Sequence, residues 1–113
     1  MEKQNAVLTK SFQFALSIIE FCELLETHKK YIIGRQLLKS GTSIGANIRE
    51  AQSCESKADF IHKLKIAAKE AEETDYWLLL CKHSQNYPFN DDLISSLIEI
   101  QKLLSSIISK AKQ

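Results

Sequence analysis

The sequence predicts an all-α fold, an antiparallel up-down four-helix bundle that forms a single domain over residues 1–113. Three observations carry this prediction. Apolar residues recur at spacings of three and four in four successive segments, which is the period of amphipathic helices. The chain contains one Pro and three Gly, too few for the turns of a multi-stranded sheet. The connections between the four segments are short, so neighbouring helices should run antiparallel.

Composition and charge exclude several classes of protein. The chain has 44% hydrophobic and 26% charged residues, ordinary values for a globular domain. Its net charge of +1 argues against a dedicated nucleic-acid binder unless the cations are concentrated on one face. No segment approaches the roughly 20 apolar residues of a membrane span, and the N-terminus lacks an apolar signal core. Three widely spaced cysteines suit a reducing compartment, so we expect a soluble cytoplasmic protein.

Helix 1 is predicted over residues 5–27 and carries two apolar seams. The first seam comprises Leu8, Phe12, Ala15, Ile19 and Cys22, and the second comprises Val7, Phe14, Ile18, Phe21 and Leu25. Two adjacent seams make a wide apolar face, which predicts a helix that contacts two neighbours.

Helix 2 is predicted over residues 31–52 and has all three glycines of the chain on one flank. Gly34, Gly41 and Gly45 fall within an arc of about 40° on a helical wheel. Each glycine inside a helix costs about 1 kcal/mol relative to alanine. Their alignment therefore predicts a surface that another backbone approaches closely, and we take it as a candidate subunit interface. The alternative is that Ser40-Gly41 breaks the helix into two pieces.

Helix 3 is predicted over residues 56–85, with Ser56 as its N-cap. Its core seam comprises Phe60, Leu64, Ala67, Ala71, Thr74 and Leu78. Ile66, Trp77 and Leu80 lie on the opposite side, where a bundle helix should be polar. We therefore expect these residues to form a subunit interface, although a long helix can also expose a few apolar residues without a partner.

Helix 4 is predicted over residues 90–111, after a turn at residues 86–89. Asn90 is expected to cap its first turn, and Asp91 and Asp92 suit the positive end of the helix dipole. Its seam repeats at alternating spacings of four and three and comprises Leu93, Leu97, Ile100, Leu104 and Ile107.

The residues that could carry catalysis form no recognisable site. A di-iron bundle requires a Glu-x-x-His motif on each of two helices, whereas this chain has a single Asp59-x-x-His62 that points away from the predicted core. There is no glycine-rich phosphate loop and no nucleophile elbow. We therefore predict that the protein is not an enzyme and has no metal or cofactor. The rival hypothesis is a metal-dependent or small-molecule enzyme assembled in the bundle centre.

One group of cations indicates nucleic-acid binding. Arg35, Lys39 and Arg49 project within about 80° of one another on helix 2. Thr42 and Ala46 lie between them and are small enough for a phosphate backbone to approach. Such contacts with RNA or DNA would confer little sequence specificity. The competing interpretation is a polar surface that faces solvent or another subunit.

Two blocks of sequence match a known family pattern. Helix 2 contains Ser43-Ile44, Asn47-Ile48 and Glu50. The family reads roughly S-I-P-S-N-I-A-E-G in this block, and this chain has Gly45, Arg49 and Ala51 in place of the Pro, the Ala and the Gly. Helix 3 contains Ser56-Lys57-x-Asp59-Phe60, Leu64-x-Ile66-Ala67, Glu73 and Leu78. On these residues the chain resembles the four-helix bundle family of the 23S rRNA intervening-sequence proteins, to which the accessory proteins of diversity-generating retroelements are related.

This resemblance implies an up-down four-helix bundle that assembles into a homopentameric ring. It also implies a partner among nucleic acids or ribonucleoproteins, because relatives are encoded within rRNA genes or work with a reverse transcriptase. In a pentamer, Ile66, Trp77, Leu80 and the glycine line of helix 2 would lie between subunits, and Glu73 would hydrogen-bond there. The alternative function is a protein-protein interaction module with no nucleic-acid role.

Overall fold

A computed structural model describes residues 2–113, all but the first residue of the chain. The helices are α1 (Glu2–Thr27), α2 (Tyr31–Ala51), α3 (Lys57–His83) and α4 (Asp91–Ala111). These residues contain no strand, so the all-α prediction is confirmed.

α2 is continuous through Ser40 and Gly41, and its interpretation as two pieces is therefore wrong. Both residues are buried against neighbouring helices, and this packing offsets the poor helix propensity of glycine.

Side chains close the first turns of α3 and α4, as the sequence predicts. The Oγ of Ser56 accepts a 3.1 Å hydrogen bond from the Asp59 N–H. The Oδ1 of Asn90 accepts a 3.2 Å bond from the Leu93 N–H. Each cap gives a partner to an amide that the helix itself leaves without one, a contribution of about 1 kcal/mol.

The four helices form an antiparallel up-down bundle, since contacts join α1 to α2, α2 to α3, α3 to α4, and α4 back to α1. Ion pairs show the direction of each neighbour. Lys3 and Lys10 of α1 bond to Ser106 and Glu99 of α4 respectively, so the residue numbers run in opposite directions along these two helices. Lys63 near the start of α3 pairs with Glu50 near the end of α2, and Lys82 at the end of α3 pairs with Asp91 at the start of α4. The bundle is 46 Å long and about 20 Å wide.

The core runs along the bundle axis and uses one seam of each helix. α1 buries its second seam, from Val7 to Leu25, together with Ser11 and Cys22. The predicted seams of α3 and α4 are buried, except that Phe60 is half-buried. Cys81 extends the α3 seam by one turn. Most of the first α1 seam remains outside the core.

The glycine line of α2 packs against α1 of the same chain. A Cβ at Gly41 would lie 2.9 Å from the Cγ1 and Cγ2 of Ile18, and a Cβ at Gly45 would lie 3.3 Å from the main-chain oxygen of Ser11. Gly34 lies beside Leu25. A close approach of another backbone is therefore present, but its partner is α1. We correct the assignment of Gly34, Gly41 and Gly45 to a subunit interface, because an intrachain helix already occupies this surface.

Candidate nucleic-acid interface

The three cations that the sequence selects on α2 are all exposed. Arg35, Lys39 and Arg49 take part in none of the ion pairs formed within residues 2–113. Lys39 is close enough to Glu70 of α3 to affect it: burial and the charge of Glu73 raise the pKa of Glu70, and Lys39 opposes this rise. The two arginines therefore keep their hydrogen-bond donors available for a ligand. The positive charge of Lys39 interacts with the Glu70 carboxylate.

Each arginine lies in a surface groove between α1 and α2. Arg35 lies in a groove of about 370 Å³ whose other lining residues are Ile19, Cys22, Glu23, Glu26, Lys30, Tyr31, Gly34 and Leu38. Arg49 lies in a groove of about 220 Å³ whose other lining residues are Leu8, Ser11, Phe12, Ala15, Thr42, Gly45 and Ala46. The Arg49 groove has no carboxylate among its lining residues, whereas Glu23 and Glu26 lie on the α1 side of the Arg35 groove. An anion would therefore be attracted more strongly to the Arg49 groove.

The residues of α2 on the surface between the two arginines have small side chains, which project little from the helix. Ala46 is exposed and Thr42 is half-buried. The Thr42 hydroxyl donates a 2.7 Å hydrogen bond to the Leu38 carbonyl of its own helix, so it presents its methyl group and oxygen rather than a free donor. Along the helix axis Arg35 and Arg49 are about 21 Å apart. A ligand that contacts both arginines must therefore be extended.

Exposed aromatic and aliphatic side chains of α1 and α2 line the same grooves. Phe12 is 57% exposed, Ile19 is 42% exposed and Tyr31 is 49% exposed. Phe12 and Ile19 belong to the first α1 seam, which the sequence assigns to a neighbouring helix. α2 lies beside this seam, but Gly41 and Gly45 of α2 pack against Ile18 and Ser11, which do not belong to the seam. The spacing of the first seam therefore identifies these residues as an apolar surface of α1. The sequence could not show that this surface is exposed in the folded chain. We call Phe12, Ile19, Tyr31, Arg35, Lys39 and Arg49 the α1–α2 face.

The apolar residues predicted on the outer side of α3 are partly covered by the chain itself. Trp77 is half-buried and packs against the core, and its Nε1 donates a 3.1 Å hydrogen bond to the Oε2 of Glu73. It follows Lys63 and Glu70 at intervals of seven residues, and both of those residues interact with α2. Trp77 therefore lies on the α2 side of α3 rather than directly opposite the core. Ile66 and Leu80 are also half-buried.

The comparison with family models places this chain among known proteins. The model of the 23S rRNA-intervening sequence protein matches residues 3–106. The chain belongs to this family. A solved structure from Bacteroides thetaiotaomicron, a protein of unknown function from the S23 ribosomal protein family, is 47% identical, covers 95% of this chain and 98% of its own, and superposes with a TM-score of 0.85. No protein of curated function shows a significant match to the chain.

The residues that match the 23S rRNA-intervening sequence family pattern lie on the α2–α3 side of the bundle. Ser43 and Asn47 bond within α2, to the carbonyls of Lys39 and Ser43 respectively, at 2.7 and 2.9 Å. Glu50 forms the 2.7 Å ion pair with Lys63 of α3. Of these contacts, the Glu50–Lys63 pair joins α2 to α3. The bonds of Ser43 and Asn47 lie within α2, and the Glu73–Trp77 bond lies within α3.

The next feature is the placement of the residues that could bind a metal ion. In the described part of the chain, no three His, Cys, Asp or Glu side chains converge in a way that could hold a metal ion. Asp59 and His62 are both exposed on α3. The free cysteines are buried at Cys22 and Cys81 and half-buried at Cys54. None of the four helices of residues 2–113 has the apolar length that a membrane crossing requires.

Proposed function

We propose that this chain is a non-enzymatic binding protein whose α1–α2 face holds RNA or DNA. The observation that supports this proposal is the placement of unpaired guanidinium groups beside exposed aromatic rings in the same two grooves. Arg35 adjoins Tyr31, and Arg49 adjoins Phe12. Surfaces that bind single-stranded nucleic acid combine cations that contact the phosphates with aromatic rings on which bases stack.

The charge distribution sets the mode of binding. Arg35, Lys39 and Arg49 would contact phosphate oxygens, which position the strand without identifying its sequence. Phe12 and Tyr31 would stack on bases, a contact that every base can make. The face therefore favours a single strand of mixed sequence. Because the whole chain carries a net charge of only +1, attraction over long distances would be weak for one copy.

We also propose that the protein is a homo-oligomer, and a pentameric ring in particular. Rings use heterologous contacts, in which two different patches of each subunit meet. One patch would comprise Ile66, Trp77 and Leu80 of α3 together with Ile32 of α2, which is 74% exposed. The second would be Leu16 and Leu24 on the solvent side of α1, which are 50% and 43% exposed. A ring would repeat the cations of the α1–α2 face in every subunit and so strengthen their combined field.

The test is a fluorescence-anisotropy titration of labelled single-stranded RNA and DNA over a range of salt concentrations. Three phosphate contacts correspond to a slope of roughly −2 in a plot of log K against log salt. We expect the variant Arg35→Ala/Lys39→Ala/Arg49→Ala to bind more weakly and to lose roughly that much slope.

The matched control is Lys10→Ala/Lys82→Ala/Lys102→Ala, which removes the same charge from other sides of the bundle. Two of its lysines form exposed ion pairs, whose loss changes stability by at most about 1 kcal/mol. The control should keep most of the affinity. Equal weakening of both variants would show that only net charge matters and would contradict an assignment to the α1–α2 face.

The second candidate function is a protein-protein interaction module. The exposed side chains of Phe12 and Ile19 favour it, because apolar groups beside a groove also suit a partner helix. Pull-downs before and after nuclease treatment separate the two functions. A partner retained by the Arg35→Ala/Lys39→Ala/Arg49→Ala variant after nuclease treatment, but lost from a Phe12→Ser/Ile19→Ser variant, would favour this module.

A further inference from the structure

The opposite side of the bundle, between α3 and α4, contains another groove. It has a volume of about 670 Å³ and is lined by residues of both helices, including Lys65, and by Lys112, which follows α4. This groove shares no lining residue with the grooves of the α1–α2 face. A ligand in this groove would therefore occupy a site separate from the α1–α2 face.

Two ammonium groups meet in this groove without a bridging carboxylate. The pKa of Lys65 is lowered, first by direct contact with the Lys112 ammonium group and its like charge, then by desolvation, and then by the charge of Lys69. None of these three lysines joins an ion pair within residues 2–113. Glu72 is the acidic side chain that lines the groove. An anion between Lys65 and Lys112 would replace their repulsion with attraction to both.

Neutral hydrogen-bonding groups lie in the same groove. Ser105, Ser109 and Gln101 of α4 contribute two hydroxyls and an amide. A serine inside a helix often bonds back to a carbonyl of the preceding turn, as the Ser43 hydroxyl does here. Ser105 and Ser109 make no side-chain hydrogen bond within residues 2–113, whereas the adjacent Ser106 accepts a 2.7 Å bond from Lys3. Both hydroxyls are therefore available as donors.

We propose that the α3–α4 groove is a binding site for a phosphate ester, which Lys65 and Lys112 hold by charge and Ser105 and Ser109 hold by hydrogen bonds. A phosphate group offers several strong acceptor oxygens to donors that approach from different directions, and lysine binds it as a point charge. An ammonium group from α3, a second from Lys112 directly after α4, and hydroxyls from α4 match this requirement. The phosphate can belong to a small phosphorylated metabolite or to the backbone of a nucleic acid, and the experiment distinguishes these sources.

The test follows the lysine side chains by NMR, through the ¹³Cε resonances of the full-length protein. The probes are inorganic phosphate, adenosine monophosphate and a short single-stranded RNA, each compared with sodium chloride at equal ionic strength. We expect the phosphate-bearing probes to shift the Lys65 and Lys112 resonances and to raise the pKa of Lys65. We expect Lys65→Ala/Lys112→Ala to bind the best probe about tenfold or more weakly, since a bond to a charged group contributes at least this much.

Matched variants separate this site from general charge and from the α1–α2 face. Lys102→Ala/Lys110→Ala removes two other lysines of α4 and should bind as the unaltered protein does. Ser105→Ala/Ser109→Ala keeps the charge and should bind phosphate several-fold more weakly. The Arg35→Ala/Lys39→Ala/Arg49→Ala variant should retain the Lys65 response, so that the two proposals can fail independently.

The probes then identify the source of the phosphate. Saturable binding of adenosine monophosphate or inorganic phosphate at least as strong as that of RNA supports a small ligand. A Lys65 response to RNA alone, abolished in Lys65→Ala/Lys112→Ala, supports a backbone phosphate. Shifts that sodium chloride reproduces at equal ionic strength, or that no probe produces, would overturn the proposal.

Discussion

A 2.9 Å hydrogen bond joins the hydroxyls of Ser40 and Thr74 within the buried interface of α2 and α3. Thr74 also lies 2.7 Å from the Glu70 carbonyl, and Ser40 lies 3.5 Å from the Leu37 carbonyl. Both side chains are fully buried. The pair thus fixes how α2 and α3 align along their length, because sliding one helix past the other would leave a buried hydroxyl without a partner.

Thr74→Val should destabilise the protein by about 1–2 kcal/mol, since it keeps the shape of the side chain and leaves the Ser40 hydroxyl with only its long bond to Leu37. The double variant Ser40→Ala/Thr74→Val should cost less than the sum of the single variants. Urea denaturation of the four proteins measures this coupling. Strictly additive losses would mean that the two hydroxyls do not depend on each other.

Alanine should have opposite effects at two glycines of α2. Gly34→Ala should stabilise the protein by about 0.5–1 kcal/mol, because its Cβ would meet the Leu25 Cβ at an ordinary 3.7 Å and alanine is the better helix former. Gly41→Ala should destabilise it by about 1 kcal/mol or more, because its Cβ would lie 2.9 Å from two carbons of Ile18 and overpacking exceeds the gain in helix propensity. Thermal denaturation compares the two variants, and shifts of the same sign would contradict this packing.

Alkaline pH should weaken the fold through Cys22. Burial, together with the nearby Cys81, raises the pKa of Cys22 from 9.0 to about 11. Its contribution to stability is complete below pH 9 and is lost as the pH rises toward 11, by roughly 2 kcal/mol, because the unfolded chain ionises first. The difference in free energy of unfolding between the unaltered protein and Cys22→Ala should shrink over this range. A difference that stays constant between pH 9 and pH 11 would contradict this role of the buried Cys22 thiol.

Self-association should depend on the proposed patch of Ile66, Trp77, Leu80 and Ile32. Ile32→Asp/Leu80→Asp should reduce the mass measured by light scattering to that of one chain, because burying a charge without a partner opposes association. Ile98→Asp, which alters an exposed residue of α4, should leave the mass unchanged. A single-chain mass for the unaltered protein at every concentration would remove the proposed ring altogether.

The fold follows from the sequence where periodicity alone decides. Leu64, Ala67, Ala71 and Leu78 are buried as predicted, because their spacing places them on one stripe whatever the partner. The identity of a partner is different. The spacing of Gly34, Gly41 and Gly45 correctly indicates close approach, but it cannot show that α1 rather than a second copy approaches.

Much of the candidate site could not be predicted for the same reason. The exposure of Phe12 and Ile19 depends on how deeply α2 packs against α1, and the meeting of Lys65 with Lys112 depends on how α3 and α4 align. Both are long-range properties. The cations of the α1–α2 face were predictable, since they share one helix and their relative directions follow from its geometry.

Ultraviolet cross-linking of the protein to single-stranded RNA, followed by peptide mass spectrometry, tests the central claim most directly, because it reports which side chains contact the bases in any oligomeric state. We expect cross-links at Phe12 or Tyr31, and we expect them to weaken in the Arg35→Ala/Lys39→Ala/Arg49→Ala variant. Cross-links confined to peptides of α3 and α4, or an absence of cross-links at saturating RNA, would contradict it.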